Sequence, residues 1–121
     1  MKLDQPALLQ WSDAVRRCIQ TCLDCHVTCL ATARYGLQKG GAYGKEKHVR
    51  LLFDCSAVCH LCVVLLHSSP DLQGRICEIC AEYCERGARN CEQLAEDEQL
   101  RACAESCRRC ATECHQAAGD Q

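Results

Sequence analysis

The cysteines of this sequence are spaced as metal ligands or redox thiols could be on a helix. Residues 18–29, CIQTCLDCHVTC, place four cysteines at intervals of 4, 3 and 4 residues. A thiolate is a soft ligand that selects Cu(I), Zn²⁺ or an iron–sulfur cluster, and thiols can also be oxidised to disulfides. The spacing therefore raises two kinds of chemistry, metal binding and thiol redox.

All 15 cysteines of the 121-residue chain fall on four stripes of this kind. The stripe nearest the C-terminus repeats the same intervals, whereas the two middle stripes are interrupted by Leu66 and Gly87. The cysteines are Cys18, Cys22, Cys25, Cys29, Cys55, Cys59, Cys62, Cys77, Cys80, Cys84, Cys91, Cys103, Cys107, Cys110 and Cys114.

An alternation of 3 and 4 residues is the spacing of the buried seam of a helix bundle. We predict four helices, at about residues 5–37, 46–67, 70–94 and 97–118, from this periodicity and from the turn signals between them. No segment alternates with period two, and short joins favour antiparallel neighbours. The fold predicted is a single all-α domain, an antiparallel up-down-up-down four-helix bundle with a cysteine-lined core.

Capping residues and glycines set the expected ends of these helices. Asp4 suits the N-cap of the first helix, with Pro6 in its first turn. Residues 39–45, KGGAYGK, contain three glycines and indicate a loop. Ser69 and Pro70 suit the N-cap and first position of the third helix, and Asp97 suits the N-cap of the fourth.

Composition excludes several classes of partner. The net charge is −2, without long blocks of like charge, so neither nucleic acid nor an anionic membrane is expected to bind. We see no signal sequence and no stretch near the ~20 apolar residues of a membrane span. The expected location is the reducing cytoplasm, where thiols stay reduced, and an odd cysteine count prevents complete internal pairing.

Three explanations of the stripes compete. Buried cysteine can serve as a small hydrophobe, but 15 of them would pack a core loosely. Disulfides fit poorly, because neighbouring thiols on one helix point the same way. Metal remains, with all fifteen cysteines as candidate ligands. The helical spacing also differs from the loop runs of ferredoxins, so iron–sulfur clusters are not expected.

Charge separates the remaining metals only in part. Buried thiolates need neutralising, and Cu(I) can do so while binding two or three sulfurs, including an i, i+4 pair on one helix. Such a core could hold about 15 Cu(I) with bridging sulfurs, or about 7 without. Zinc would need fewer ions but prefers tetrahedral sites, which straight helices should supply less readily. Zinc or general metallothionein-like sequestration therefore stays open, and a thiol redox protein is a further alternative.

The stripes resemble those of the copper storage protein family. The pattern CxxxCxxCxxxC in the first and fourth helices and CEICAEYC in the third carry this resemblance. It implies a bundle that is folded before copper binds, copper entering at one end, and a homotetramer. Exported members have a signal peptide and methionine ligands, whereas the only methionine here is Met1, so the chain looks like the cytosolic branch. Leu66 and Gly87 should lower the capacity.

The resemblance and the stripes together predict storage or buffering of multiple Cu(I) ions, with no enzymatic activity. A long row of equivalent sites without an open position suits storage more than catalysis. The partners expected are copper ions, further copies of the chain, and a copper chaperone or cuproenzyme.

The two ends of the bundle should differ. One end collects apolar stripe residues and is expected to be a plug: Trp11, Val15, Leu66 and Ala117. The other collects Thr32, His48, Cys91 and Leu100. His48 lies on the stripe of the second helix, seven residues before Cys55. We hypothesise that metal enters here, with His48 and Cys91 as early ligands.

The other histidines and a second apolar set flank the core. Histidines beside the stripes are expected at the surface or between subunits rather than as ligands: His26, His60, His67 and His115. Apolar residues outside the stripes would be exposed in a monomer, which argues for oligomerisation. They are Leu23, Val27, Leu30, Leu61, Val64 and Leu65.

Overall fold

Four α-helices make up most of the computed structural model, which describes residues 11–120. They are α1 (Asp13–Lys39), α2 (Glu46–Ser68), α3 (Gln73–Glu92) and α4 (Glu98–Gly119). Short 3₁₀ turns precede α2 and α3, at Gly41–Gly44 and Pro70–Leu72. Within residues 11–120 there is no β-strand.

The helices pack as the predicted antiparallel bundle. The main contacts join α1 to α2, α2 to α3, α3 to α4, and α4 back to α1, which closes a four-sided arrangement. Cys18 contacts Cys114 and Cys29 contacts Cys103, so α1 and α4 run in opposite directions. The prediction of an all-α four-helix bundle is confirmed.

The first helix begins later than the sequence suggested. Residues 11 and 12 are not helical, and Ser12 is the N-cap of α1, its Oγ accepting a hydrogen bond from the Val15 amide at 3.2 Å. The prediction of one unbroken helix from about residue 5 is therefore wrong at residues 11 and 12. A serine whose side chain accepts from the third amide ahead marks the N-terminal end of a helix. The predicted cap Asp4 and Pro6 lie outside the described residues.

The starts of α3 and α4 have different causes. Pro70 opens the 3₁₀ turn, and the Ser69 side chain makes no capping hydrogen bond, so α3 begins at Gln73 rather than at residue 70. The helix also ends at Glu92, two residues before the predicted end. Asp97 caps α4 as predicted: its carboxylate accepts from the amides of Gln99 at 2.8 Å and Leu100 at 3.2 Å.

Glycine allows the chain to turn tightly after α1. Gly40 has a φ of 76°, in the region where glycine is favoured. A Cβ on Gly36 would overlap the carbonyl oxygen of Tyr43, so the turn can fold back onto α1 only without a side chain there. The loop predicted at residues 39–45 is therefore the 3₁₀ turn Gly41–Gly44 together with the residues on either side of it.

One helix of the described part, α2, is long and apolar enough to cross a membrane by length and composition alone. The expectation that no stretch approaches a membrane span is wrong on that criterion. Core helices meet the same criterion, and α2 places Cys55, Cys59 and Cys62 in the shared core of the bundle.

Candidate metal centre

The centre of the bundle is lined by the sulfur atoms of the cysteines. Every cysteine side chain is fully buried, and all fifteen are free thiols. The four stripes therefore face one another, as their spacing predicted. The space that leucine and isoleucine fill in other bundles is here lined by thiols over the length between the two ends.

Neighbouring sulfurs are close both along a helix and across helices. Within α1, the Sγ atoms of Cys25 and Cys29 are 3.8 Å apart. Between helices, Cys18 and Cys114 are 3.6 Å apart, as are Cys59 and Cys84. A metal ion can thus be chelated by one helix or held between helices. The sequence prediction favoured pairs on one helix for Cu(I) and expected four-thiolate sites between helices to form less readily.

The thiols form five groups whose sulfurs all lie within 4.8 Å of one another. Along the bundle the groups are Cys18, Cys22 and Cys62; Cys22, Cys80, Cys110 and Cys114; Cys59, Cys80, Cys84 and Cys110; Cys25, Cys55, Cys59 and Cys84; and Cys25, Cys29, Cys55 and Cys107. Each group shares one or two cysteines with the next, so the five form an unbroken row.

Three cysteines lie outside these groups, at the two ends of the row. Cys77 lies 4.0 Å from Cys18, sulfur to sulfur. Cys103 lies 3.9 Å from Cys29 at the opposite end. Cys91 interacts with the Cys103 thiol, which together with burial raises the pKa of Cys91. All fifteen predicted ligands therefore belong to one continuous network.

Mutual contact shifts the pKa values of these thiols in both directions. Hydrogen bonds with the Cys114 and Cys22 thiols lower the pKa of Cys18 to about 6. Hydrogen bonds with Cys18 and Cys62, together with burial, raise the pKa of Cys77. Because a buried thiolate needs a donor or a cation, the apo core cannot ionise throughout. A bound metal would replace protons, so loading must release them.

The two interruptions of the stripes have different surroundings. Leu66 is buried at the end of the core formed by the start of α1 and the end of α4. Gly87 is buried between sulfurs: a Cβ there would lie 3.3 Å from Sγ of Cys107 and 3.4 Å from Sγ of Cys55. The glycine thus leaves room for thiols of two other helices.

The predicted apolar plug is present. Val15, Leu66 and Ala117 are buried at one end, and the half-buried Trp11 packs against this core. The Trp11 ring also meets the ring of His67 edge-on, with centroids 4.4 Å apart.

The opposite end is also closed by apolar side chains. Leu100 is fully buried there, as is Leu52, a residue that the sequence prediction missed. Each leucine precedes the first cysteine of its stripe by three residues, Cys103 or Cys55. The signal was in the sequence, since position 52 continues the 3-4 spacing between His48 and Cys55.

His48 lies at this end but outside the five thiol groups. It is 6% exposed, and its Nδ1 is 2.6 Å from Nδ2 of Asn90 on α3. Its Nε2 is buried and has no hydrogen-bond partner among the described residues. Such an atom can take a metal ion or donate to a ligand that is not present.

Comparison with known proteins agrees with this geometry. The family described as copper storage protein matches residues 11–119. This chain belongs to the copper storage protein family. No curated protein matches it significantly.

Solved structures of copper storage proteins share the fold. A cytosolic copper storage protein from Streptomyces lividans, solved with five coppers, is 28% identical with a TM-score of 0.82, over 88% of this chain and 93% of its own. The Streptomyces lividans protein loaded with 10 copper equivalents is 27% identical with a TM-score of 0.84, over 95% and 98%. A Nitrosospira multiformis protein is 30% identical with a TM-score of 0.81, over 89% and 97%.

The remaining histidines of this copper storage family member do not join any thiol group. His26 is half-buried, bonds Ser56 through Nδ1 at 2.7 Å, and stacks on His60 with centroids 5.0 Å apart. His115 is exposed beside Glu85, and His67 bonds the Val63 carbonyl. These contacts agree with the expectation that the four histidines flank the core.

Proposed function

We propose that this chain stores Cu(I), holding many ions at once on the thiolates that line its core. The observation that carries the proposal is the continuous row of five overlapping thiol groups. Sulfurs already 3.6 to 4.0 Å apart need little rearrangement to share an ion. Membership of a storage family, and relatives solved with five and ten coppers, support the same function.

Zinc is the second candidate, because a four-thiolate group is the set that a structural zinc uses. The structure supplies four such groups, more than the sequence suggested for straight helices. Adjacent groups share two cysteines, so at most two of the four can be filled without sharing a ligand. Cu(I) needs only two or three thiolates for each ion, so the same sulfurs can hold more Cu(I) than Zn²⁺, which favours copper as the stored metal.

A titration separates the two. Reduced protein is titrated with Cu(I) and, in parallel, with Zn²⁺, each against a competing chelator, while helicity is followed by circular dichroism. Storage of copper predicts tight uptake of many Cu(I) equivalents without a change in helicity. Tight binding of a few zinc ions with no uptake of copper would refute it.

The end that carries His48 and Cys91 is proposed as the entrance for copper. Cys91 is the cysteine nearest this end on α3, and the unpartnered Nε2 of His48 is a nitrogen donor outside the thiol network. Both therefore suit early ligands, ahead of the thiol groups.

The wider setting is also proposed. The exposed apolar residues of α1 and α2 support a homotetramer, with Val27 at 62% exposure. The family is one of storage proteins rather than enzymes, which supports a non-catalytic role. A cytoplasmic location, and exchange with a copper chaperone or cuproenzyme, follow from storage in a compartment where thiols stay reduced.

A further inference from the structure

A cationic groove covers the end of the bundle where His48 lies. It is a cavity of about 680 Å³ between the start of α2 and the end of α3. Four cationic side chains line it, and no carboxylate does: Lys45, Lys47, Arg86 and Arg89. His48 and Asn90 line it as well.

These charges are neutralised only in part, since Arg89 interacts electrostatically with Glu85 and Glu92, two carboxylates that do not line the groove. Arg86 forms an ion pair with Glu82 at 2.8 Å, with both side chains about half exposed. Lys45, Lys47 and Arg89 form no ion pair with any residue of the described part of the chain. The other surface grooves differ: the one beside α4 mixes Arg101, Arg108 and Arg109 with glutamates. Unpaired charges of one sign around a concavity attract ligands of the opposite sign.

His48 links the groove to the core. Its ring lines the groove, yet its Nε2 is out of contact with solvent and has no hydrogen-bond partner. A buried polar atom left unsatisfied costs free energy, so such atoms mark sites where a ligand completes the arrangement. This is an observation independent of the charges, and it indicates a ligand position at His48 itself, a residue that the groove borders.

We propose that this groove docks Cu(I) carried by an anionic low-molecular-weight thiol, so that copper is handed over beside His48. The inference rests on the proposed storage function. A copper ion bound by two thiolates carries a net negative charge, and carboxylates on the thiol add to it. The cations of the groove therefore attract the loaded carrier, whereas a bare cuprous ion would be repelled.

The transfer is an exchange of ligands without a redox step. For each copper moved, two Cu–S bonds to the carrier break and two Cu–S bonds to core thiols form. The protons of the two core thiols pass to the two released carrier thiolates. Copper stays in the cuprous state, and no other reactant is needed.

The experiment compares small thiol carriers of opposite and neutral charge, and the groove and control variants are compared with the same three carriers. Reduced protein receives Cu(I) from its complexes with 3-mercaptopropionate, 2-mercaptoethanol or cysteamine, which are anionic, neutral and cationic thiols. The measurement is the initial rate of uptake with each carrier. The groove variant is Lys47→Glu with Arg89→Glu. The control, Arg75→Glu with Arg109→Glu, changes the net charge equally on other faces of the bundle.

We expect the wild-type protein and the control to load about tenfold faster from the anionic carrier than from the neutral one, since steering by charge gives factors of this order. The groove variant should lose that preference, and added salt should weaken it in the wild type. The same anionic-to-neutral ratio in the groove variant and the control would overturn the inference. If charge reversal prevents folding, the variant Lys47→Gln with Arg89→Gln makes the same test.

The final copper content keeps the two proposals distinguishable. If every variant loads fully and the anionic-to-neutral ratio of uptake rates is unchanged, docking of the carrier at the groove is refuted and the storage function is not. Failure of the wild-type protein to take up copper from any carrier refutes storage, and the inference about the groove falls with it.

Discussion

Asn90 on α3 holds the ring of His48 on α2, its Nδ2 lying 2.6 Å from the histidine Nδ1. With the amide nitrogen as the donor, Nδ1 accepts and the ring proton is on Nε2. The same Nδ2 lies 3.3 Å from the His48 carbonyl oxygen, which fixes the amide in this orientation. For Nε2 to bind a metal, the proton must move to Nδ1 and the amide must turn its oxygen toward the ring. Asn90 can serve either state.

Replacing His48 should therefore change the rate of copper exchange. We expect His48→Ala to slow uptake or release of Cu(I), and Asn90→Ala to slow it by about tenfold through loss of ring orientation. Stopped-flow transfer of Cu(I) from a chromophoric chelator measures both rates. His26→Ala is the matched control, since His26 bonds Ser56 and does not line the groove at this end. Rates equal to wild type in both variants would count against an entrance at this end.

The leucines between His48 and the sulfurs should act as a barrier as well as a part of the core. Leu52 and Leu100 are fully buried. We expect Leu52→Ala and Leu100→Ala each to lower the free energy of unfolding of the apo protein by about 2–5 kcal/mol. Each should also accelerate copper uptake, because the closed end is opened.

Urea unfolding and the uptake rate together test this role. The exposed Ile79 on α3, 47% accessible, supplies the control Ile79→Ala, which should change neither quantity appreciably. A loss of stability without faster uptake would mean that copper does not pass these leucines.

Gly87 makes room for the thiols of two other helices, and because it brings no thiol of its own it should also lower the number of Cu(I) ions that the core binds. A Cβ there would lie 3.3 Å from Sγ of Cys107, so Gly87→Ala and Gly87→Cys should both crowd the core, at a cost of about 1–3 kcal/mol that is offset by about 1 kcal/mol of improved helix propensity. Because the two variants add the same Cβ, the difference in their copper capacity reports the effect of the added sulfur alone. We expect Gly87→Cys to bind more Cu(I) than Gly87→Ala, counted by titration. Equal capacities would show that position 87 does not reach the metal.

The join between α1 and α4 should make stability sensitive to acid. Hydrogen bonds from Lys39 and Tyr35 hold the pKa of Asp97 well below its ordinary value of 3.8. A carboxylate with a lowered folded pKa contributes stability that is complete above its unfolded pKa and is lost as the pH falls toward the folded value. The wild-type thermal midpoint should thus fall more steeply below about pH 4 than that of Asp97→Asn, measured by circular dichroism.

Asp24 on α1 is exposed and forms no ion pair within residues 11–120, so Asp24→Asn gives the control for this comparison. This variant should keep the acid dependence of the wild type, because it leaves the Lys39–Asp97 contact intact. If Asp97→Asn and the wild type lose stability in parallel between pH 6 and 3, the Lys39–Asp97 contact at 2.8 Å contributes nothing that depends on pH.

Charge on the exposed apolar surface of α1 and α2 should disperse the assembly. Val27 and Val64 are 62% and 44% exposed. We expect Val27→Glu with Val64→Glu to shift the protein from tetramer toward smaller species, because a charge buried at an interface is costly. Sedimentation velocity measures the species, with the exposed Thr112→Glu as control. A wild-type protein that sediments as a monomer would refute the tetramer.

The sequence predicted the bundle and its core because the two depend on the same periodicity. Every cysteine lies at a 3-4 position, so the face that packs is also the face that binds. Helix ends were predicted where a side chain alone decides them, as with Asp97. The start of α1 at Ser12 was not predicted, because the helical periodicity of the sequence runs through this serine without a break.

Relations between helices were beyond reach of the sequence. The spacing on one helix fixes which residues share a face, but not how far one helix slides against the next. The overlap of the thiol groups, the contact of Asn90 with His48 and the cations gathered from α2 and α3 all depend on that offset. Leu52 is different, since its position on the stripe can be seen in the sequence. It was overlooked because it is a leucine among candidate ligands that are cysteines and a histidine.

The overlap of the thiol groups means that the core has no independent sites. Cys22, Cys59 and Cys25 each belong to two neighbouring groups, so an ion placed in one group alters the donors left for the next. As a metal store the bundle would therefore behave as a one-dimensional row of sites, in which an ion bound in one group changes the affinity of the next. The steepness of the curve of bound copper against free copper would measure the free energy of coupling between neighbouring groups. That coupling sets the range of free copper concentration over which the protein acts as a buffer.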